Sequence, residues 1–176
     1  MTNLKLIFPN QDYKDEWFSI INEIENAEEK MTPSALKGEA NDYNEYLYNV
    51  KKYSKGINLP EGRVPAEIYF LVNNDDKRIL GAIDIRYSLN DYLYNFGGNI
   101  GYGIRPTERR KGYATKMLEL ALDICREKGM DKVLITCNKS NIGSARTIIK
   151  NGGILENEIM ENDELVQRYW IKCSRG

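Results

Sequence analysis

The sequence predicts an α/β protein with one mixed central β-sheet flanked by helices on both faces. Three observations lead there. Apolar residues recur at helical spacing in several segments and give way to β-branched, aromatic-rich runs in others. The order is a strand, two helices, a run of strands, a helix, a strand, a helix and a final hairpin. A helix between two apolar strands suits a parallel crossover unit. At 176 residues the chain is read as a single domain over 1–176, long enough to bury a core.

Leu4 to Phe8 is the first strand, ended by Pro9-Asn10. From Gln11 to about Ala27, Trp17, Ile20, Ile21 and Ile24 fall on one helical face, and Thr32-Pro33-Ser34 breaks the pattern. A second helix is expected over Asn41 to Lys55, with Tyr43, Tyr46, Leu47, Val50 and Tyr53 on one side. Asn41 or Asp42 can cap its start and Gly56 its end. Leu59 to Pro65 is a connector. Glu67 to Val72 and Arg78 to Tyr87 are strands around the polar turn at 73–77, an antiparallel hairpin. Leu89 to Gly97 reads as a tyrosine-containing loop.

Asn99 to Ile104 is the fourth strand, and Pro106 marks a turn. A basic, glycine-containing loop follows, then a helix whose buried face is Met117, Leu118, Ala121, Leu122 and Cys125. Asp131 to Cys137 is the fifth strand, Ala145 to Lys150 a helix, and Ile154 to Met160 with Leu165 to Lys172 the last hairpin.

Lys plus Arg number 25 and Asp plus Glu 26, so no global field draws the chain to nucleic acid or a membrane surface. No long apolar run is present, and MTNLKLIFPN lacks the apolar stretch of a secretory signal. Three scattered cysteines fit free thiols in a reducing, cytoplasmic setting. There is no histidine. That excludes Ser-His-Asp and Cys-His devices and histidine-based metal sites, and no metal is expected.

The segment Gly98 to Ala121 carries the chemistry. Strand, tight loop and helix N-terminus make an anion site, because the first helical N–H groups lack partners and the dipole is positive there. Gly112 lets a ligand approach the backbone, Ala114 keeps the next approach open, and Arg109, Arg110 and Lys111 add charge. The loop is neither G-x-x-x-x-G-K-[ST] nor G-x-G-x-x-G. Taken alone it fits a phosphate site or a surface turn with a basic helix start equally well.

Ile104-Arg105-Pro106, then Arg109, Gly112 and Ala114, match an apolar-x-Pro strand end and an R-x-x-G-x-A loop. This resembles the signature of the GNAT N-acetyltransferase superfamily, whose loop binds the pyrophosphate of acetyl-coenzyme A. The element order is similar over the whole length. Asn141, with Ser144 three residues on and Gly152 ending the helix, resembles the family's second motif, an Asn that contacts the pantetheine arm. Gly97 to Thr115 and Thr136 to Asn141 are also similar to a group of uncharacterised bacterial acetyltransferases reading GG-x-IGY-x-IRP-x-ERRKGYAT and TC-x-K-x-N.

The resemblance implies a GNAT-like fold and an acetyl-CoA-dependent transfer to an amine of a small molecule or peptide, by direct attack on the thioester. It implies a cofactor site built from Ile104, Arg105, Arg109, Arg110, Lys111, Gly112, Tyr113, Ala114, Thr115, Asn141 and Ser144. The place of the family's frequent general-acid Tyr is held by Ile148, and that of its general-base Glu by Asn99. Neither titrates. Tyr102, Asp84 and Cys137 are the substitutes. The alternative is a coenzyme A-binding module without catalysis, a sensor or partner protein; a phosphate or nucleotide binder unrelated to acetyl transfer is a third reading. Acceptor specificity is expected in the N-terminal helices, where α-helical tyrosines can line a pocket, in the 89–97 loop and in the last hairpin. The acidic run 156–164 either attracts a cationic amine or is a solvated hairpin face. In the family such a hairpin often pairs with a second copy, giving a homodimer.

Overall fold

The computed structural model describes residues 3–174; the four terminal residues of the expected 1–176 domain lie outside them. The elements run β1 (Leu4–Ile7), α1 (Lys14–Asn26), α2 (Tyr43–Ser54), β2 (Ala66–Asn73), β3 (Arg78–Arg86), β4 (Ile100–Ile104), α3 (Tyr113–Glu127), β5 (Lys132–Asn138), α4 (Ile142–Lys150), β6 (Ile154–Glu161) and β7 (Glu164–Lys172). This is the expected α/β fold, with helices on both faces.

The central sheet is split, and this corrects the sequence expectation of a parallel β4–β5 crossover pair. The strands form two antiparallel sheets, ordered β1-β2-β3-β4 and β5-β7-β6. β4 and β5 meet where Asn99 N–H donates to the Leu134 carbonyl and Asn99 Oδ1 accepts from Leu134 N–H. Beyond that point no ladder joins them among the described residues. Side chains from α4 occupy the widening gap: Tyr102 of β4 reaches Ser144 of α4 at 2.8 Å between hydroxyls.

Apolar periodicity explains the packing. Met117, Leu118, Ala121, Leu122 and Cys125 are all buried, and α3 lays them on Ile83, Ile85 and Ile100 of the first sheet. On the other face Trp17, Ile20, Ile21 and Ile24 of α1 and Tyr43, Tyr46 and Val50 of α2 cover Ile68, Phe70 and Val72. Asp42 caps α2 by accepting from Glu45 N–H at 2.8 Å. Two hydrogen bonds pin the α1–α2 connector: Trp17 Nε1 donates to Leu36 O at 2.7 Å and the Tyr46 hydroxyl to Ala35 O at 3.0 Å. The connector lies across β4, where glycine is required. A Cβ on Gly103 would sit 2.1 Å from the Thr32 carbonyl oxygen.

The 89–97 loop contains a wide helical turn at Leu93–Gly97, which corrects the reading of that stretch as irregular. Side chains from elsewhere hold it. Thr136 Oγ1 donates to Phe96 O at 2.6 Å, Arg86 Nη1 to Gly97 O at 3.2 Å and Arg168 Nη2 to Tyr94 O at 2.8 Å. One turn is too short for its periodicity to show in sequence.

Candidate functional site

Register decides which backbone groups of β4 face a ligand. Asn99 O accepts from Arg86 N–H, and Arg105 N–H donates to Leu80 O. Antiparallel bonding alternates, so residues 99, 101, 103 and 105 bond β3. The N–H and C=O groups of Tyr102 and Ile104 therefore point off the sheet edge, where β5 has splayed away. The side chain of Arg109 finds that edge and donates from Nε to Ile104 O at 3.3 Å.

A cleft of about 680 Å³ runs along this edge. One end reaches the N-terminus of α3. Gly112 stands there at φ 85°, a left-handed conformation that a side chain would strain. Unlike α2 and α4, α3 begins with no side-chain cap. Its first bond inside the helix joins Lys116 N–H to Gly112 O, which leaves the N–H groups of Tyr113, Ala114 and Thr115 for an outside acceptor. The local dipole favours an anion.

Of the residues expected at a cofactor site, Ile104, Arg109, Arg110, Gly112, Tyr113, Ala114, Thr115, Asn141 and Ser144 line this cleft. Arg105 and Lys111 do not. Arg105 is 2% exposed and points to the opposite face of the sheet. It donates to Glu23 Oε2 at 2.7 Å, Glu16 Oε2 at 3.0 Å and Ile79 O at 3.1 Å, and also to Ser19 Oγ. Lys111 is tied to Glu108 at 2.9 Å. Arg109 is in the cleft but already paired to Glu29 through both terminal nitrogens. That hydrogen bonding raises the Arg109 pKa and lowers that of Glu29.

Sequence reasoning missed other cations. Lys30, Arg146 and Lys150 line the cleft with Arg110, and among the described residues none of these is in an ion pair. Arg146 and Lys150 stand four apart on α4, on one helical face, a spacing that was available in the sequence. Together they make a cleft suited to a polyanion.

The substitute catalytic residues separate. Tyr102 lines the cleft, with its hydroxyl 2.8 Å from Ser144 Oγ; burial pushes its pKa up to about 12. Cys137 is buried behind it, outside the lining, and burial raises its thiol pKa. Asp84 lies in a different cavity, on the α2 side of the first sheet. The two non-titrating positions have structural work. Ile148 is fully buried in the core under α3. Asn99, 3% exposed, stitches the sheets by donating to Arg86 O at 2.9 Å and accepting from Leu134 N–H at 2.8 Å. Asn141 caps α4, accepting from Ser144 N–H at 3.1 Å.

No helix among the described residues is long and apolar enough to cross a membrane. No curated protein matches the sequence. Solved structures share the fold at low identity. The acetyltransferase of Salmonella typhimurium that modifies the N-terminal serine of ribosomal protein L7/L12 is 12% identical, with TM-score 0.67 over 98% of this chain and 96% of its own. The microcin C7 self-immunity acetyltransferase MccE, solved with acetyl-CoA and AMP, is 19% identical, with TM-score 0.68 over 98% and 93%. The dodecameric spermidine N-acetyltransferase of Vibrio cholerae is 15% identical, with TM-score 0.66 over 98% and 95%. Residues 9–154 match the acetyltransferase (GNAT) domain family, and with most of its length so matched the chain belongs to the GNAT acetyltransferases.

Proposed function

We propose that the chain, as one domain over 1–176, is an acetyl-CoA-dependent N-acetyltransferase acting on an amine of a small molecule or peptide. One observation carries the reading: a single cleft joins the outward peptide groups of β4 to the uncapped, left-handed glycine start of α3. The residues present fit the cofactor. The N–H groups of Tyr113, Ala114 and Thr115 would hold the pyrophosphate, and Arg110, Arg146 and Lys150 the remaining phosphate charge. The outward N–H and C=O groups of Tyr102 and the N–H of Ile104 would orient the pantetheine arm, with Asn141 beside it.

When bound, acetyl-CoA supplies an activated acetyl thioester. Tyr102 N–H stands where it can polarise a carbonyl oxygen at the strand edge. The Tyr102 hydroxyl keeps its proton at neutral pH, since burial pushes its pKa up to about 12. Ser144 Oγ orients it at 2.8 Å. Those properties suit a proton donor to a departing thiolate, in the role that Ile148 cannot fill. Cys137 lies outside the cleft lining.

The amine class agrees with the acceptors named for structural neighbours, an N-terminal serine and spermidine. A cytoplasmic setting and pairing of two copies through the β6–β7 hairpin belong to the same reading; β6 is an edge strand that exposes Ile154, Leu155 and Met160.

A second reading, a coenzyme A-binding module without catalysis, draws on the structural commitment of Asn99 and Ile148. Calorimetric titration with acetyl-CoA and its desulfo and dephospho analogues tests the cofactor. Thiol release with an amine panel separates the readings: binding with release supports the enzyme, binding without release the module, and no binding sinks both.

A further inference from the structure

The second cavity, about 230 Å³, lies between α2, the 59–66 connector and β3. It is smaller than the roughly 300 Å³ at which pockets begin to hold drug-sized ligands, so its occupant has the size of an amino acid. Val50, Tyr53, Ile68 and Leu93 give it an apolar wall.

Asp84 lines it, and its bonding is incomplete. The residue is 7% exposed. Among the described residues its carboxylate accepts no hydrogen bond, and its ionic contact is Arg86 Nε at 3.4 Å. A good charge-assisted bond is nearer about 2.8 Å. Arg86 cannot swing closer, because its Nη1 is held by Gly97 O at 3.2 Å and Gly98 O at 3.1 Å. Buried carboxylates are normally satisfied, so the remaining acceptor capacity faces the cavity. Burial raises the Asp84 pKa against the pull of Arg86 and Arg63.

The surrounding charge is cationic. Lys37, Arg63 and Arg86 line the cavity against Glu39 and Asp84. Lys37 is tied to Glu25 at 2.7 Å and Arg86 is anchored, whereas Arg63 is exposed and forms no ion pair among the described residues. A polyamine meets repulsion here, and an anionic group meets Arg63.

The position suits acyl transfer. Asp84 pairs with Gly101, the neighbour of Tyr102 in β4. The Thr32–Pro33 turn stands between the two spaces: Lys30 and Thr32 line the cleft, Ser34 and Ala35 the second cavity. A Cβ on Gly101 would meet Arg86 Nη2 at 3.2 Å and Pro33 Cβ at 3.8 Å, so those two side chains form the boundary between the spaces.

We propose that this cavity is the acceptor pocket and takes a small primary amine bearing a carboxylate, with Asp84 receiving the amino group and Arg63 the carboxylate. The proposal rests on the acetyltransferase reading. In transfer the acetyl carbon gains a bond to the amine nitrogen and loses its bond to sulfur; Asp84 takes the proton from nitrogen and Tyr102 gives one to sulfur.

The test is calorimetric titration of the full chain, without acetyl-CoA, by leucine, leucinamide and putrescine. Leucine is expected to bind about tenfold tighter than leucinamide or more, with putrescine weakest. Arg63→Gln, a rim substitution, should erase the preference for leucine over leucinamide. Asp84→Asn should weaken leucine about tenfold or more and leave acetyl-CoA affinity unchanged. Equal or tighter binding of leucinamide or putrescine overturns the proposal, as does an Asp84→Asn chain that titrates like the parent, or binding by none of the three. If acetyl-CoA fails to bind in the same preparation, the acetyltransferase reading falls, while the leucine titrations still judge the pocket.

Discussion

Arg105→Met should destabilise the fold without weakening acetyl-CoA binding. The guanidinium is 2% exposed and bridges β4 to α1 through Glu23, Glu16 and Ser19, with a further bond to Ile79 O. Methionine keeps the apolar stem and removes the charged fork. Removing one partner of a buried ionic cluster typically costs about 3–5 kcal/mol, because the remaining charge is left uncompensated. The Glu16 and Glu23 side chains keep 30% and 21% exposure, so water recovers part of the loss. The low end, about 3 kcal/mol, is expected, which for a chain of this size lowers Tm by about 6–12 °C. Urea denaturation reads the free energy. A pH series reads the cause. Burial alone would raise the Glu23 pKa, but hydrogen bonds from Arg105 and Thr107, with the Arg105 charge, hold it below its ordinary 4.5. A depressed native pKa stabilises in full above about 4.5 and loses that contribution as pH falls through the native value. The deficit of the variant should therefore be complete at neutral pH and narrow in acid. A loss below about 1 kcal/mol would refute the packing argument. Weaker acetyl-CoA binding by the folded variant would restore the sequence expectation that Arg105 holds the cofactor.

Gly112→Glu should lower acetyl-CoA affinity by about 100-fold or more through like-charge repulsion in the cleft, whereas Gly112→Ala carries only the left-handed backbone cost of about 1–2 kcal/mol; calorimetry that finds Glu no worse than Ala removes the pyrophosphate from this loop. Tyr102→Phe should reduce kcat about 10²-fold with acetyl-CoA affinity kept. Because its pKa is about 12, the wild-type pH–rate profile should show no alkaline loss due to this phenol near pH 8–9, and a limb there that disappears in the Phe variant contradicts the assignment. Asn99→Ala strands the Arg86 carbonyl and the Leu134 N–H and should cost about 3 kcal/mol in urea denaturation; an unchanged midpoint means the sheets are joined some other way.

Much of the fold was legible because its signals are local. Trp17, Ile20, Ile21 and Ile24, and Met117 through Cys125, are buried as their helical spacing required. Gly112 marks a backbone open to close approach, since it has no Cβ, and the structure adds that it is left-handed. The fate of each arginine in the basic stretch was not legible. Arg105 and Arg109 lie four residues apart, yet one is sealed against α1 while the other lines the cleft. Strand parity sends the side chain of residue 105 to the α1 face, and its partners Glu16 and Glu23 are more than eighty residues away in the chain. Asn99 shows the same limit: as a polar residue opening a strand in the sequence reading, it gives no sign of joining two sheets. Nor does Asp84, one alternation among the apolar residues of β3, reveal that it faces a cavity.

The sequence by itself determined the elements, their order, the two buried helix faces and the glycine loop, because periodicity and backbone preference act over a few neighbouring residues. Tertiary structure alone decided that the sheet splits beside Tyr102, that Arg105 is a strut, and that Asp84 lines a second cavity, because burial and pairing are set by elements that meet in space from distant parts of the chain.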